Sequence, residues 1–408
     1  MPRYHLFEAY GVELEYMVVD RDTLAVRPIV DKLFHDVAGR YVSEVEQGPI
    51  AWSNELVNHV VELKTNGPAA DLGGLAAAFQ TNVGIINDRL ARHDAMLLPG
   101  GAHPFMDPLT ETQLWPHESR EIYGLYDRIF DCRGHGWSNL QSTHINLPFA
   151  GDAEFERLHA AVRVLLPVMP AIAASTPILD GKRTGFADTR LEAYRLNQKR
   201  IPSLTGVVIP EPAFNEADYR ERIFGPIMRD IRPFDVDGVL DRHFVNSRGA
   251  IARFDRGSIE IRLLDIQECP EADLAIVSFI VAVLRAMVNE RWSALEEQKA
   301  WSETTLADML LDNIRSAENS IIENAAYLCL FGIRRPRVSA GELWYHLWRE
   351  LQPELTPEVN DALARIMEQG TLSTRLLRRL ADCCEASCIV SVYHELAGCL
   401  AQGRMFVL

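Results

Sequence analysis

Gly11-Val12-Glu13-Leu14-Glu15-Tyr16-Met17-Val18-Val19-Asp20 is the segment on which the reading of this chain turns. In a β-strand, residues two apart share a face. Val12, Leu14 and Tyr16 therefore pack to one side while Glu13 and Glu15 stand together on the other, about 7 Å apart. Two carboxylates held that close repel unless a cation sits between them. Taken alone, the segment reads as an exposed edge strand with solvated glutamates. Three later segments change the weighing, because each repeats the alternation of metal-competent and apolar side chains.

The first of these is Trp52 to Thr65, where Val61 and Leu63 alternate with Glu62 and Lys64 ahead of the breaker Gly67-Pro68, a second strand. Glu55 precedes Glu62 by seven residues, and a loop or bend between them would bring both carboxylates to one site. In Gln141 to Phe149, the second, alternation puts Ser142, His144 and Asn146 on one face. A lone strand histidine is commonly just hydrogen-bonded; His144 stands out because its face is polar like those of the carboxylate strands. The third, Ala250 to Asp265, reads as two strands joined at Asp255-Arg256-Gly257. Ser258, Glu260 and Arg262 share a face there. A surface ion pair is one reading, worth little. Beside a metal-bound polyphosphate, the glutamate would hold the cation and the arginine would neutralise the transferring group.

Composition narrows the classes. With 41 basic against 57 acidic side chains in 408 residues, the formal charge is −16, which argues against a general nucleic-acid or anionic-membrane surface. The apolar run from Leu274 to Leu284 is too short to cross a bilayer as a helix and reads as buried, so no membrane partner is expected. The start, Met1-Pro2-Arg3-Tyr4-His5, lacks signal-peptide anatomy, and the seven scattered cysteines make no disulfide framework; both point to the cytoplasm. Arg190, Arg195, Lys199 and Arg200 form a basic run, either a solvated helix face or an anion pocket suited to the planar fork of arginine.

Helical spacing marks Pro68 to Met96, and a helix from Gly151-Asp152 with Asp152 as its cap. Gly100-Gly101-Ala102-His103 between them reads as a plain turn. Beyond Pro270 the chain turns helical, with one long helix from Glu271 to Lys299 and others over Ala340–Leu351, Thr356–Gln369 and Thr371–Gln402. A domain boundary falls near residue 290. Cys384 and Cys388, one helical turn apart, would suit a metal, though buried helix cysteines are far commoner.

Together Glu13, Glu15, Glu55, Glu62, His144 and Glu260 offer five carboxylates and one imidazole. Hard oxygen donors with a single histidine favour magnesium or manganese over zinc. Such a site suits phosphoryl transfer, in which arginines balance developing charge.

These segments, with the Thr184 to Arg195 block, resemble in order the motif series of glutamate–cysteine ligase family 2, also called carboxylate–amine ligases. The resemblance implies an α+β fold in which a curved, mostly antiparallel sheet of glutamine synthetase type forms a funnel with surrounding helices. It places a catalytic domain at residues 1–290 and a helical C-terminal region at 291–408. It also implies ATP, Mg2+ or Mn2+, and small-molecule substrates, an amino acid and an amine. Glu15, Glu55 and Glu62 would hold one metal, and Glu13, His144 and Glu260 another against the ATP phosphates. Arg262 would stabilise the phosphoryl group with help from Arg253. Arg190, Arg195 and Asn146 would bind substrate carboxylate or phosphate. The implied reaction joins glutamate to cysteine or a related amine through an acyl phosphate, releasing ADP and phosphate. The same chemistry on another acid or amine, a metal-dependent hydrolase, and a silent binding protein are the alternatives. The oligomeric state is open, a homo-oligomer included.

Overall fold

The computed structural model describes residues 3–383 and 385–408. Its centre is an eight-stranded sheet in which every pairing is antiparallel. The strands are β1 (Gly11–Asp20), β2 (Glu44–Gln47), β3 (Ile50–Asn54), β4 (Val60–Thr65), β5 (Ala95–Leu98), β6 (Ser142–Pro148), β7 (Ala250–Arg253) and β8 (Ser258–Asp265). Their spatial order is β2-β3-β4-β1-β6-β8-β7, with β5 against the far half of β1.

Period-2 alternation decides the layers. Val12, Leu14 and Tyr16 are fully buried in the main apolar cluster with Phe79, Val83 and Phe279. The helix Pro270–Val288 is the backbone of that cluster and packs on the helices Leu75–Leu90, Asp152–Leu165 and Pro357–Gln369. On the opposite face Glu13 and Glu15 are followed by Met17 and Val19. Both of these are buried, in a second cluster with Leu98, Leu372, Leu376 and Leu396. The C-terminal helices Leu372–Leu380 and Ala386–Gln402 thus cover the far end of the face that carries the glutamates, and β1 is apolar on both sides there. The main cluster takes in residues from both sides of position 290, including Trp344, Leu347 and Leu363.

Several elements differ from the sequence reading. Trp52 to Thr65 is not one strand but β3, a loop and β4. The helix expected over Pro68–Met96 starts only at Leu75, after Gly74 in the left-handed region, and Met96 belongs to β5. Asp152 is the first helical residue, not the cap, and its Oδ1 accepts from the Glu216 amide at 3.0 Å. The helix from Pro270 stops at Val288, where Glu290 turns to φ 58°, and Leu295–Lys299 is separate. Ala381 at φ 44° likewise splits Thr371–Gln402 into two helices. A disulfide joins Cys383 to Cys388 across that break, which removes Cys388 as a metal ligand; Cys384 lies outside the described residues. Among the described residues, no helix is long and apolar enough to cross a membrane.

Candidate active site

Register gathers the polar side chains. β1 pairs with β4 so that Glu15 faces Glu62, and with β6 so that Glu13 faces His144. β8 in turn sets Glu260 opposite Asn146. Cross-strand partners share a face, so the acids form one band across four strands. They line a cavity of about 310 Å³ whose walls include Glu55, Tyr123, Tyr126, Trp137, Tyr194, Phe244, Arg190 and Arg262.

Two triads lie within the band. Glu13, His144 and Glu260 can each bring a ligand atom within 4.8 Å of the others, and so can Glu15, Glu62 and His144. His144 is common to both: Nδ1 lies 2.7 Å from Glu13 Oε2, while Nε2 lies 3.0 Å from Ser142 Oγ and 3.7 Å from Glu15 Oε1. Hydrogen bonds aim the carboxylates. Asn146 Nδ2 donates to Glu13 Oε1 at 3.0 Å, Ser142 gives its amide and hydroxyl to Glu15 Oε2 at 2.8 Å, and Ser53 Oγ donates to Glu62 Oε1 at 2.6 Å. Outer-shell partners of this kind orient metal-binding side chains.

The electrostatics fit divalent cations. Burial pushes the Glu55 carboxyl well above its usual range, and the charges of Glu15, Glu62 and Glu13 push the same way. Burial and the charge of Glu13 raise Glu62 to about 7, against the pull of Lys64 and Ser53. Burial would lower His144, but the hydrogen bond to Glu13 and the charges of Glu15 and Glu13 lift it to about 9. Burial would raise Glu13, yet His144 outweighs it and holds the carboxyl at about 2. The protein alone thus relieves crowded acids by holding protons, and hard dications would replace those protons. Oxygen donors with one imidazole match magnesium or manganese.

A pH dependence follows. Glu62 titrates near 7 when folded and near 4.5 when free, so folding favours its protonated form and stability is lost as pH climbs between those values. His144, near 9 folded and 6.5 free, gives stability present below 6.5 that is lost as pH rises through 9. Both act in one direction. Chelator-stripped protein is expected to lose about 3 kcal/mol through Glu62 alone between mildly acidic and alkaline pH, with Mg2+ restoring it increasingly as pH rises. Thermal unfolding across that range, with and without Mg2+, checks this; a metal-free melting temperature rising toward alkaline pH would contradict it.

The arginines are distributed differently from the sequence expectation. Arg262 lines the cavity, and its Nε donates to Glu260 Oε1 at 2.5 Å. Arg253 sits at the hairpin turn paired with Asp255, its Nη1 3.7 Å from Glu260 Oε2. Arg190 lines the cavity, but its guanidinium is engaged by Asp265 and the Leu263 carbonyl. Arg195 is not brought to the cavity wall; it forms an ion pair with Glu192 three residues back on its own helix turn. Asn146 reaches Glu13 and is spent on holding that carboxylate. The aromatic wall was missed from sequence: Tyr126 lies on the amphipathic helix Arg120–Phe130, and Trp137 and Phe244 lie on single-turn helices, His135–Ser138 and Arg242–Val245, too short to show a period. Ser142 was visible on the His144 face, yet its partnership with Glu15 depends on β1–β6 register.

A model of glutamate–cysteine ligase family 2 (GCS2) matches residues 9–391. A protein of Archaeoglobus fulgidus, described as an uncharacterized protein, is 33% identical over 398 residues, covering 97% of this chain and 100% of that relative. A Jannaschia sp. relative named "Putative glutamate--cysteine ligase 2" is 23% identical over 297 residues, 69% of this chain and 68% of its own. The crystal structure of glutamate–cysteine ligase from Francisella tularensis in complex with AMP superposes at a TM-score of 0.59 and 13% identity, covering 98% of this chain and 90% of that one. The likeness is one of fold, the α+β architecture of a large antiparallel sheet with surrounding helices. With the family model running through β1, β6 and β8 and on into the C-terminal helices, the protein belongs to glutamate–cysteine ligase family 2.

Proposed function

We propose that the protein is an ATP-dependent carboxylate–amine ligase. It joins the side-chain carboxylate of glutamate or a related acid to cysteine or another amine, and releases ADP and phosphate. The observation that carries this reading is the convergence of two acid–histidine triads beside Arg262 in one cavity.

Glu13, His144 and Glu260 would hold one divalent ion, and Glu15 and Glu62, with Glu55 beside them, another. Those residues would thereby place positive charge that offsets the phosphate oxygens and eases the approach of two anions. Arg262, kept protonated by its acidic neighbours Glu260 and Glu13, balances charge on the phosphoryl group in transit. The substrate carboxylate attacks the γ-phosphorus to give an acyl phosphate, and the amine then displaces phosphate. No side chain serves as a covalent nucleophile. Tyr126, Trp137 and Phe244 wall the cavity and limit the water that would hydrolyse the acyl phosphate.

The test is ADP formation with Mg2+ present across a panel of acids and amines. Release is expected only when an acid and an amine are supplied together. ADP release indifferent to both would refute the ligase reading, and amide hydrolysis without nucleotide would move the assignment to a hydrolase.

A further inference from the structure

We propose that Arg190 is a positioning residue that braces a β-bulge and thereby aims Arg262, rather than a group that binds substrate. The proposal rests on the ligase reading for the role of Arg262, but its geometry does not.

β8 pairs with β6 in steps of one up to Ile261 opposite Ile145, and pairing resumes with Leu264 opposite Thr143. Arg262 and Leu263 therefore stand against the single residue His144. Two residues against one is a bulge, a device that bends a strand and re-aims a side chain. It also changes which residues face the cavity side, bringing Asp265 opposite Ser142.

Arg190 holds this irregularity from below. Its Nη2 donates to the Leu263 carbonyl at 2.7 Å, and its Nε pairs with Asp265 Oδ1. The two contacts bracket Leu264 and fix the strand just past the bulge. Asp265 is itself anchored, since its Oδ2 accepts from the Ser175 amide at 2.8 Å and from Thr176 Oγ1 at 2.9 Å. Thr176 Oγ1 also accepts from the Arg190 amide at 3.0 Å, closing the loop. On the other side Arg262 donates its amide to Gly249 O at 2.9 Å.

The packing leaves no slack. A Cβ on Gly249 would lie 2.6 Å from Leu263 Cδ2, and a Cβ on Gly101 would lie 2.6 Å from Asp265 Cγ. Both glycines are therefore required by close approach. Arg190 is 3% exposed and Asp265 1%, so this is a buried ion pair in which each charge depends on the other. Lysine cannot reproduce a fork that spans a carboxylate and a carbonyl, and is expected to recover only part of the function.

The test is a double-mutant cycle of Arg190→Gln and Arg262→Gln in the full chain, read by steady-state ADP formation. Arg190→Gln is expected to lower kcat about 10- to 100-fold with less than about a threefold change in KM for the acid, Arg190→Lys falling between it and wild type. Adding Arg190→Gln to Arg262→Gln is expected to cost less than about threefold more. A rise in KM for the acid with kcat preserved, or losses that multiply in the double variant, would overturn the proposal in favour of direct substrate binding.

A crystal structure of Arg190→Gln supplies a readout that does not need turnover. Loss of the Arg262–Glu260 contact supports the proposal even if no acid and amine pair is found for the wild type, an outcome that would sink only the ligase reading. An unmoved bulge and Arg262 would overturn it. Should Arg190→Gln fail to fold, Thr176→Val removes one anchor of the same network; it is expected to lower kcat with KM unchanged, and wild-type kinetics there would count against the brace.

Discussion

Arg262→Gln is expected to slow ADP formation by about 10²- to 10³-fold at saturating substrate while leaving Mg2+ binding measurable by thermal shift. The size follows from where the guanidinium sits. It lines a cavity crowded with carboxylates, donates to Glu260 at 2.5 Å, and is held fully protonated by its acidic neighbours. A fixed cation aimed at a site of developing charge costs no reorganisation when the reaction occurs, and losing one such group costs that much in kcat. Metal binding should survive, because Glu13, His144 and Glu260 remain and Glu260 is relieved of its partner. ADP formation within about threefold of wild type would remove Arg262 from the phosphoryl-transfer machinery.

Arg375→Met is expected to destabilise the protein by about 3–5 kcal/mol, read by urea unfolding. Glu268 lies three residues past the end of β8, and both it and Arg375 on the helix Leu372–Leu380 are buried, at 0% and 1% exposure. Glu268 accepts from both Arg375 Nη1 and the Phe406 amide, and Arg375 also bonds the Phe406 carbonyl. Removing the arginine strands a buried carboxylate among fixed dipoles. Replacing both partners with apolar residues should cost much less than the single change, so Glu268→Leu combined with Arg375→Met separates the buried-charge penalty from lost packing. A single variant as stable as wild type would show that Glu268 finds another partner or a proton.

The alternation of Glu13 with Glu15, of Ser142 with His144 and Asn146, and of Glu260 with Arg262 was legible because the period of a strand is fixed by backbone geometry. Which acids meet was less so. The sequence resemblance set Glu15, Glu55 and Glu62 together, and the three line one cavity wall with Glu55 beside Glu62, but that His144 is common to both triads was not legible. The bulge at Arg262 and Leu263 carries no local signature. Without it the partnership of Arg190 with Asp265, separated by 75 residues, looks like a free basic residue in an acidic chain. Helix ends were misread where Glu290 and Ala381 adopt left-handed backbone, since nothing in those residue types announces it. Met17 and Val19 continue the face of Glu13 and Glu15 yet are core, packed with Leu98 and with helices more than 350 residues onward, a contact no local pattern announces.

That last arrangement ties the fate of the reaction centre to the tail of the chain. The sheet surface that presents Glu13 and Glu15 is closed at one end by Leu372, Leu376 and Leu396, while Tyr126, Trp137 and Phe244 wall the cavity beside the acids. Divergence in what such a ligase accepts would then be written into those wall segments, while the closing helices are free to drift only as far as their apolar footprint on β1 permits.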